Sequence, residues 1–298
     1  MSSTVKVRSD SGKVSLLHKA LSFCEAIKVS HSVFALPFAI SAAFLASNGF
    51  PPLSVLGKVV LAVVLARTSA MAFNRWADAE LDGLNPRTRL RAVPQGLLTR
   101  GCMLVTSLLA ALGFVLVSSW MNRLAFILSP AVLLVLLGYS YTKRFTSLSH
   151  LALGAALGLS PMGAWVAVRA ELGWLPTVLG LAVLAWTAGF DVIYACQDQE
   201  FDRRHGLHSI PGKFGVARAL LLSRALHVVT IGLLGFLGGL GGLGAAYWAG
   251  VACVAAILIY EQSLVRPTDL SRVNLAFFTL NGLVSLVFMT AVVVETLL

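Results

Sequence analysis

Charge is in short supply in this chain, and negative charge most of all. Of 298 residues, 23 are Lys or Arg and 13 are Asp or Glu, so charged residues make up 12 %. That is roughly half of what a soluble domain carries. With 57 % hydrophobic residues and a mean hydropathy of +0.84, this excludes an ordinary soluble fold and identifies a polytopic membrane protein. Cysteine is also sparse. Cys24, Cys102, Cys196 and Cys253 show no CxxC spacing, which excludes a zinc ribbon or disulfide framework and leaves them as small buried hydrophobes. The net charge of +10 is spread over short loops without one long basic patch, so no nucleic-acid partner is expected. The glycines between Gly235 and Gly244 lack the strand, the Lys-Ser ending and the nearby acid of a nucleotide loop, and mark close helix packing and a turn. No cleavable signal peptide is visible, because Met1–Lys13 is polar; the first membrane helix is expected to direct insertion.

What is present is a series of apolar runs. Residues 1–30 read as a cytoplasmic segment in which Val14–Val29 forms an amphipathic surface helix. Nine spans are predicted: 31–46, 53–81, 102–120, 124–141, 151–168, 174–197, 216–236, 243–262 and 273–297. With the N-terminus inside, the basic loops holding Arg87, Arg89, Arg91 and Arg100, then Lys143 and Arg144, then Arg203, Arg204 and Lys213, all fall on the cytoplasmic side. The opposite turns carry only Lys58, Arg123 and Arg169. The chain is expected to be a single membrane domain, residues 1–298, in the inner (cell) membrane.

The few acids are concentrated. Seven of the 13 lie in two stretches, Asn74-Arg75-Trp76-Ala77-Asp78-Ala79-Glu80-Leu81-Asp82 and Asp191 to Asp202. On a helix, Asn74, Asp78 and Asp82 fall at i, i+4 and i+8, so an amide and two carboxylates share one face. Asp191, Asp198 and Asp202, at i, i+7 and i+11, again place acids on one face. The offsets 198 − 78 and 202 − 82 both equal 120, which suggests a duplicated unit of about that length, all α-helical. Carboxylates crowded on one face need a cation, and oxygen donors of this kind suit Mg²⁺. Glu80 and Glu200 point elsewhere and read as solvated surface. His205 and His208 read as loop residues. Both motifs sit at the cytoplasmic ends of even-numbered spans, where one shared site can form.

These residues resemble a known family. NRWADAELD is similar to the first Asp-rich motif of the UbiA superfamily of intramembrane aromatic prenyltransferases, and DVIYACQDQEFD to the second. NPRTRLRAVPQG, YSYTKRFT and GLHSIPGKFG also resemble family signatures. Those loops, together with NLAFFTLNG at Asn274–Gly282, look closer to the branch that includes menaquinone prenyltransferases than to typical ubiquinone enzymes. The resemblance implies nine helices around a central cavity, Mg²⁺, a polyprenyl diphosphate donor and an aromatic hydroxy acid as acceptor, 4-hydroxybenzoate or a dihydroxynaphthoate. Haem, chlorophyll or lipid-ether acceptors used elsewhere in the superfamily are the enzyme alternative. A cation transporter is the rival of another class, since intramembrane acids also mark ion paths.

On that reading Asn74, Asp78, Asp82, Asp191, Asp198 and Asp202 hold Mg²⁺ against the diphosphate. Lys143, Arg144 and Arg75 bind diphosphate oxygens, although Lys143 and Arg144 also fit a simple positive-inside anchor. Tyr139, Tyr141 and Tyr194 offer ring faces to an allylic cation. Arg67, seven residues before Asn74 and deeper in the membrane, either holds the acceptor carboxylate or pairs with an aspartate. Lys28 and His31 compete with it for the carboxylate.

Overall fold

A computed structural model describes residues 23–298, the side chains of 29–31 excepted. The amphipathic helix predicted over Val14–Val29 lies mostly outside the described residues, as does the side chain of His31. Among them the chain is helical throughout; one isolated bridge, Arg266 to Asp269, is its sole β-type pairing.

A 3₁₀ turn at Val29–Phe34 leads into α1 (Leu36–Ser47). There follow α2 (Leu53–Ala77), α3 (Ala79–Leu84), α4 (Arg100–Met121), α5 (Arg123–Thr142), α6 (Ser149–Arg169) and α7 (Trp174–Ala195). The chain then forms α8 (Gln199–Arg204), α9 (Ile210–Phe214), α10 (Val216–Gly241), α11 (Ala245–Leu264) and α12 (Asn281–Leu297), the last preceded by a π-helical turn, Leu275–Leu280. Eight of these helical runs are long and apolar enough to cross a membrane. The first predicted span differs. Its α1 has 12 residues, or about 18 Å against a hydrocarbon core of about 30 Å, and most of its side chains are buried in the bundle, not turned to lipid. Lys28, held at φ 52°, and Pro37 in the first helical turn keep the helix from extending backwards.

Capping side chains set two of the starts. Thr99 Oγ1 accepts from the Cys102 N–H at α4, and Asn122 Oδ1 accepts from the Ala125 N–H at α5. Small residues then let helices close on one another. A Cβ on Gly154 or Gly158 of α6 would lie 2.4 Å from a backbone carbonyl of α7, so these two helices pack at backbone distance. Across α2 and α4, Ser107 Oγ donates to the Ser69 carbonyl at 3.0 Å. An aromatic cluster of Phe34, Phe38, Trp186, Phe190 and Phe288 fills the centre. Three of the four cysteines contradict the expectation of burial: Cys24, Cys102 and Cys253 are exposed, and Cys196 is buried. In a membrane bundle an outward-facing small apolar residue such as Cys253 meets lipid at no cost, so the sequence pattern could not separate the two.

Candidate active site

Both acidic helices break at an aspartate. Asp78 (φ −96°, ψ 5°) separates α2 from α3, and Asp198 (φ −103°, ψ 6°) separates α7 and its 3₁₀ extension from α8. Both occupy the bridge region between helix and strand geometry, where active-site residues are often found. The continuous helix predicted over 53–81 is thus corrected to a long helix, a break and a short one, whereas the span predicted over 174–197 matches α7 and its 3₁₀ extension and ends where the second break begins. An aspartate competes for backbone donors and is poorly suited to a helix interior. The i→i+4 bonds from Asp78 N to Asn74 O and from Asp82 N to Asp78 O survive, so all three side chains still reach one cavity.

That cavity, about 300 Å³, lies between the ends of α2, α5 and α7, the start of α6 and the loop after α3. Asn74, Asp78, Asp82, Asp191, Asp198 and Asp202 all line it, with Arg75, Tyr139, Lys143, Tyr194 and Lys28. Four of the five carboxylates already have a close partner. Asp78 receives Lys143 Nζ at 2.6 Å and Asn74 Nδ2 at 2.9 Å, with Arg144 at 3.5 Å. Asp82 receives Arg91 at 2.7 Å and Arg75 at 3.1 Å. Asp198 takes the Arg87 guanidinium through Nε at 2.9 Å and through NH2, and Asn85 Nδ2 at 3.0 Å. Asp191 Oδ2 lies 2.7 Å from His150 Nδ1; the Ile210 N–H points at Nε2, which leaves the ring proton on Nδ1 and makes His150 the donor. Lys28, half-buried at the rim, is held below the usual lysine range by burial and then by the guanidiniums of Arg75 and Arg91. Six lysines and arginines line the cavity against five aspartates, so its lining carries a small excess of positive charge.

Among the described residues no three His, Cys, Asp or Glu side chains converge into a metal cage. The donors nevertheless have the right chemistry, because Mg²⁺ is usually held by one or two carboxylates plus substrate phosphates, not by an all-protein shell.

A second, apolar cavity of about 370 Å³ continues into the bundle between α2, α5 and α6, and shares Arg67, Met71, Tyr139, Leu153 and Leu157 with the first. Arg67 stands at the junction. No carboxylate pairs with it among the described residues, and its Nε has no partner, so the predicted pairing with an aspartate is not made.

Two predicted residues take other positions, and a third, Arg75, lines the cavity but is already bonded within the protein. Tyr141 does not line either cavity: it packs edge-on against Phe73 and under the Arg144 guanidinium. Two positions after Tyr139 on a helix is about 200° of rotation, so both rings cannot face the same space. Arg144 likewise stays off the cavity lining and donates to the Ala77 carbonyl at 2.6 Å. Arg75 is buried, with its Nε on the Ala26 carbonyl and NH1 on Asp82. Conversely Arg87, Arg91, Asn85, His150, Ser209 and Phe277 line the cavity without having been singled out. The signal for the first three was the Asn-Pro-Arg run directly after the first acidic motif; His150 gave no signal beyond being polar at the start of a span.

The UbiA prenyltransferase family model matches residues 35–283. The 4-hydroxybenzoate octaprenyltransferase of Aromatoleum aromaticum is 34 % identical over 257 residues, 85 % of each chain, and that of Photobacterium profundum 30 % identical over 91 % of this chain and 95 % of its own. Among solved structures, the apo UbiA homologue of Aeropyrum pernix K1 is 34 % identical with a TM-score of 0.82, covering 90 % of this chain and 98 % of that one. An Archaeoglobus fulgidus UbiA homologue solved with DMAPP and Mg²⁺ is 18 % identical with a TM-score of 0.74, over 92 % and 99 %, and shares the fold. Composition, bundle, acidic cavity and these likenesses agree: the chain is a multi-pass membrane prenyltransferase and belongs to the UbiA prenyltransferase family.

Proposed function

We propose that this chain transfers a polyprenyl group from a polyprenyl diphosphate to an aromatic hydroxy acid of the 4-hydroxybenzoate type, in respiratory quinone biosynthesis. The observation that carries this reading is the pair of joined cavities: a charged one for the diphosphate, an apolar one for the isoprenoid chain, and an unpaired arginine where they meet. The relatives' shared name favours 4-hydroxybenzoate over a dihydroxynaphthoate.

Asp78 and Asp82 on one side and Asp198 and Asp202 on the other would hold Mg²⁺, with Asn74 beside them; bound there, the ion neutralises the charge that develops on the departing diphosphate. Arg87 can exchange Asp198 for phosphate oxygens as the donor binds, while Lys143 and Arg91 stay on Asp78 and Asp82 and offer the diphosphate their remaining N–H donors. The excess positive charge around Lys28 draws the anionic donor to the rim. The allylic C–O bond then breaks, the ring carbon ortho to the acceptor hydroxyl takes the prenyl group, and a ring proton leaves. Tyr139 presents its ring to the allylic cation, while Tyr194, stacked on Phe277 and under the Arg87 guanidinium, holds that arginine at the cavity. Asp191, oriented by His150 and paired to no lysine or arginine among the described residues, is the carboxylate placed to take the proton. Arg67 holds the acceptor carboxylate at the mouth of the apolar cavity. By the positive-inside rule the site faces the cytoplasm, with α1 and the turn before it as a ninth, short membrane segment.

The test is product formation by purified protein in detergent with Mg²⁺ and farnesyl or longer diphosphates, offered 4-hydroxybenzoate and, separately, 1,4-dihydroxynaphthoate. A prenylated hydroxybenzoate that disappears with EDTA is the expected result. A prenylated naphthoate alone would move the acceptor, and no product from either would overturn the reading.

A further inference from the structure

Asn274–Gly282 resembles a family signature, yet none of its residues has so far been given a role. In the structure it contains the π-helical turn at the start of the last membrane helix. Such turns are rare and concentrate at functional sites. This one brings Phe277 to the charged cavity, its ring stacked 4.1 Å from that of Tyr194 and edge-on to Phe190 at 5.4 Å. Tyr194 in turn accepts Arg87 NH1 at 2.7 Å and carries the guanidinium over its ring. The position of Phe277 therefore bears on the Arg87–Asp198 pair.

An extra residue in a helical turn displaces carbonyls from their usual donors. Here the Asn281 side chain meets them: its Nδ2 donates to the Ala276 carbonyl at 2.9 Å and the Phe277 carbonyl at 3.3 Å. The same nitrogen donates to Glu261 Oε1, on α11, at 3.0 Å. Glu261 and Asn281 are both 0 % exposed, and no Lys, Arg or His pairs with Glu261 among the described residues. Two atoms of the pair, Glu261 Oε2 and Asn281 Oδ1, have no hydrogen-bond partner. An ionised carboxylate inside a membrane span with a single amide donor is an uncompensated charge. A neutral acid removes the charge and converts Oε2 from an orphan acceptor into a donor, next to an amide whose oxygen is free to accept.

We propose that Glu261, as the neutral acid, and Asn281 form a positioning pair that holds the π-turn in register and so keeps Phe277 against Tyr194 at the reacting end of the cavity. The inference rests on the prenyl-transfer reading for its effect on turnover, but the protonation of Glu261 is testable without it.

Glu261→Gln preserves both bonds, because its amide donates where the acid did; Glu261→Leu removes them. The first should leave kcat within about two-fold of wild type and the second should lower it about ten-fold, with the acceptor KM little changed. Asn281→Asp, which puts an acid against the Ala276 and Phe277 carbonyls, should give a loss like that of Glu261→Leu and serves if the leucine variant does not fold. Phe277→Ala should show a loss of the same size, and adding Glu261→Leu to it should cost nothing further, since the pair acts through that ring. Glu261→Gln as impaired as Glu261→Leu, or losses that multiply, would overturn the proposal. Infrared spectra provide the independent readout: wild type should show a protonated carboxylic C=O stretch that Glu261→Gln lacks, and its absence overturns the neutral pair whatever the activity. A wild type that shows the band but forms no product would instead refute the enzyme reading alone.

Discussion

The two acidic motifs break their helices in the same conformation but are neutralised in different ways. In the first, the side chains of Asp78 and Asp82 are 3 % and 9 % exposed, and each touches two cationic side chains drawn from α2, the end of α5 and the following loop. In the second, Asp198 leans on one arginine from the first motif's loop, and Asp191 on a histidine; both are more open, at 15 % and 21 % of their side-chain surface. The first motif is thus fixed into the protein, whereas the second is held by groups that can leave it. A diphosphate arriving at the rim meets one rigid wall and one adaptable wall. Arg87 joins them, since it grows from the loop of the first motif and grips Asp198 of the second.

The largest effect should come from neutralising either wall. Asp78→Asn and Asp198→Asn should each reduce product formation by at least about 100-fold, the scale of losing a group that stabilises developing charge. Their stabilities should separate. Removing one partner from a buried charge network leaves cations uncompensated and can cost about 3–5 kcal/mol, discounted here because Lys143 and Arg144 keep contact with solvent. Thermal unfolding in detergent should therefore drop clearly for Asp78→Asn and hardly for Asp198→Asn. Equal melting temperatures would erase the distinction between a fixed and an adaptable wall, and normal turnover in either variant would remove that residue from the site.

Much of this comparison is legible in the sequence, for a physical reason. A membrane chain can keep carboxylates only where something uses or neutralises them, so the acids of 74–82 and 191–202 stood out against an apolar background. Helix count followed from run length, except at α1, where the apolar stretch continues through a turn that composition does not reveal. The partners were harder to see. Arg87, Arg91 and Asn85 lie in a loop whose path back over the cavity depends on tertiary contacts, and a positive-inside loop looks the same whether or not its arginines turn inward. Tyr139 and Tyr141 looked equivalent because both are aromatic and near the motif; rotation about α5 separates them.

A smaller effect tests the junction between the cavities. Arg67→Ala should raise the acceptor KM about ten-fold and leave that of the diphosphate unchanged, in keeping with a loss of about 1.5–3 kcal/mol for a hydrogen bond to a charged group. Steady-state kinetics with each substrate varied in turn would decide it. An unchanged acceptor constant would return that role to Lys28, the other cation on the rim.

The smallest effects should separate the tyrosines. Tyr194 accepts a hydrogen bond from Arg87 at 2.7 Å and stacks on Phe277, so Tyr194→Phe removes a link between the adaptable wall and its arginine while keeping the ring. A fall in kcat of about ten-fold is expected, the scale of about 1.4 kcal/mol. Tyr141 lines neither cavity, and its ring contacts, to Phe73 and Arg144, do not involve its hydroxyl. Tyr141→Phe should therefore stay within about two-fold of wild type. Both variants keep their ring area, so a difference in turnover reads the cavity directly without a stability term. If Tyr141→Phe were the impaired one, the end of α5 would have to rotate on binding substrate, and the first motif, to which Lys143 and Arg144 tether that helix, could no longer be the rigid wall.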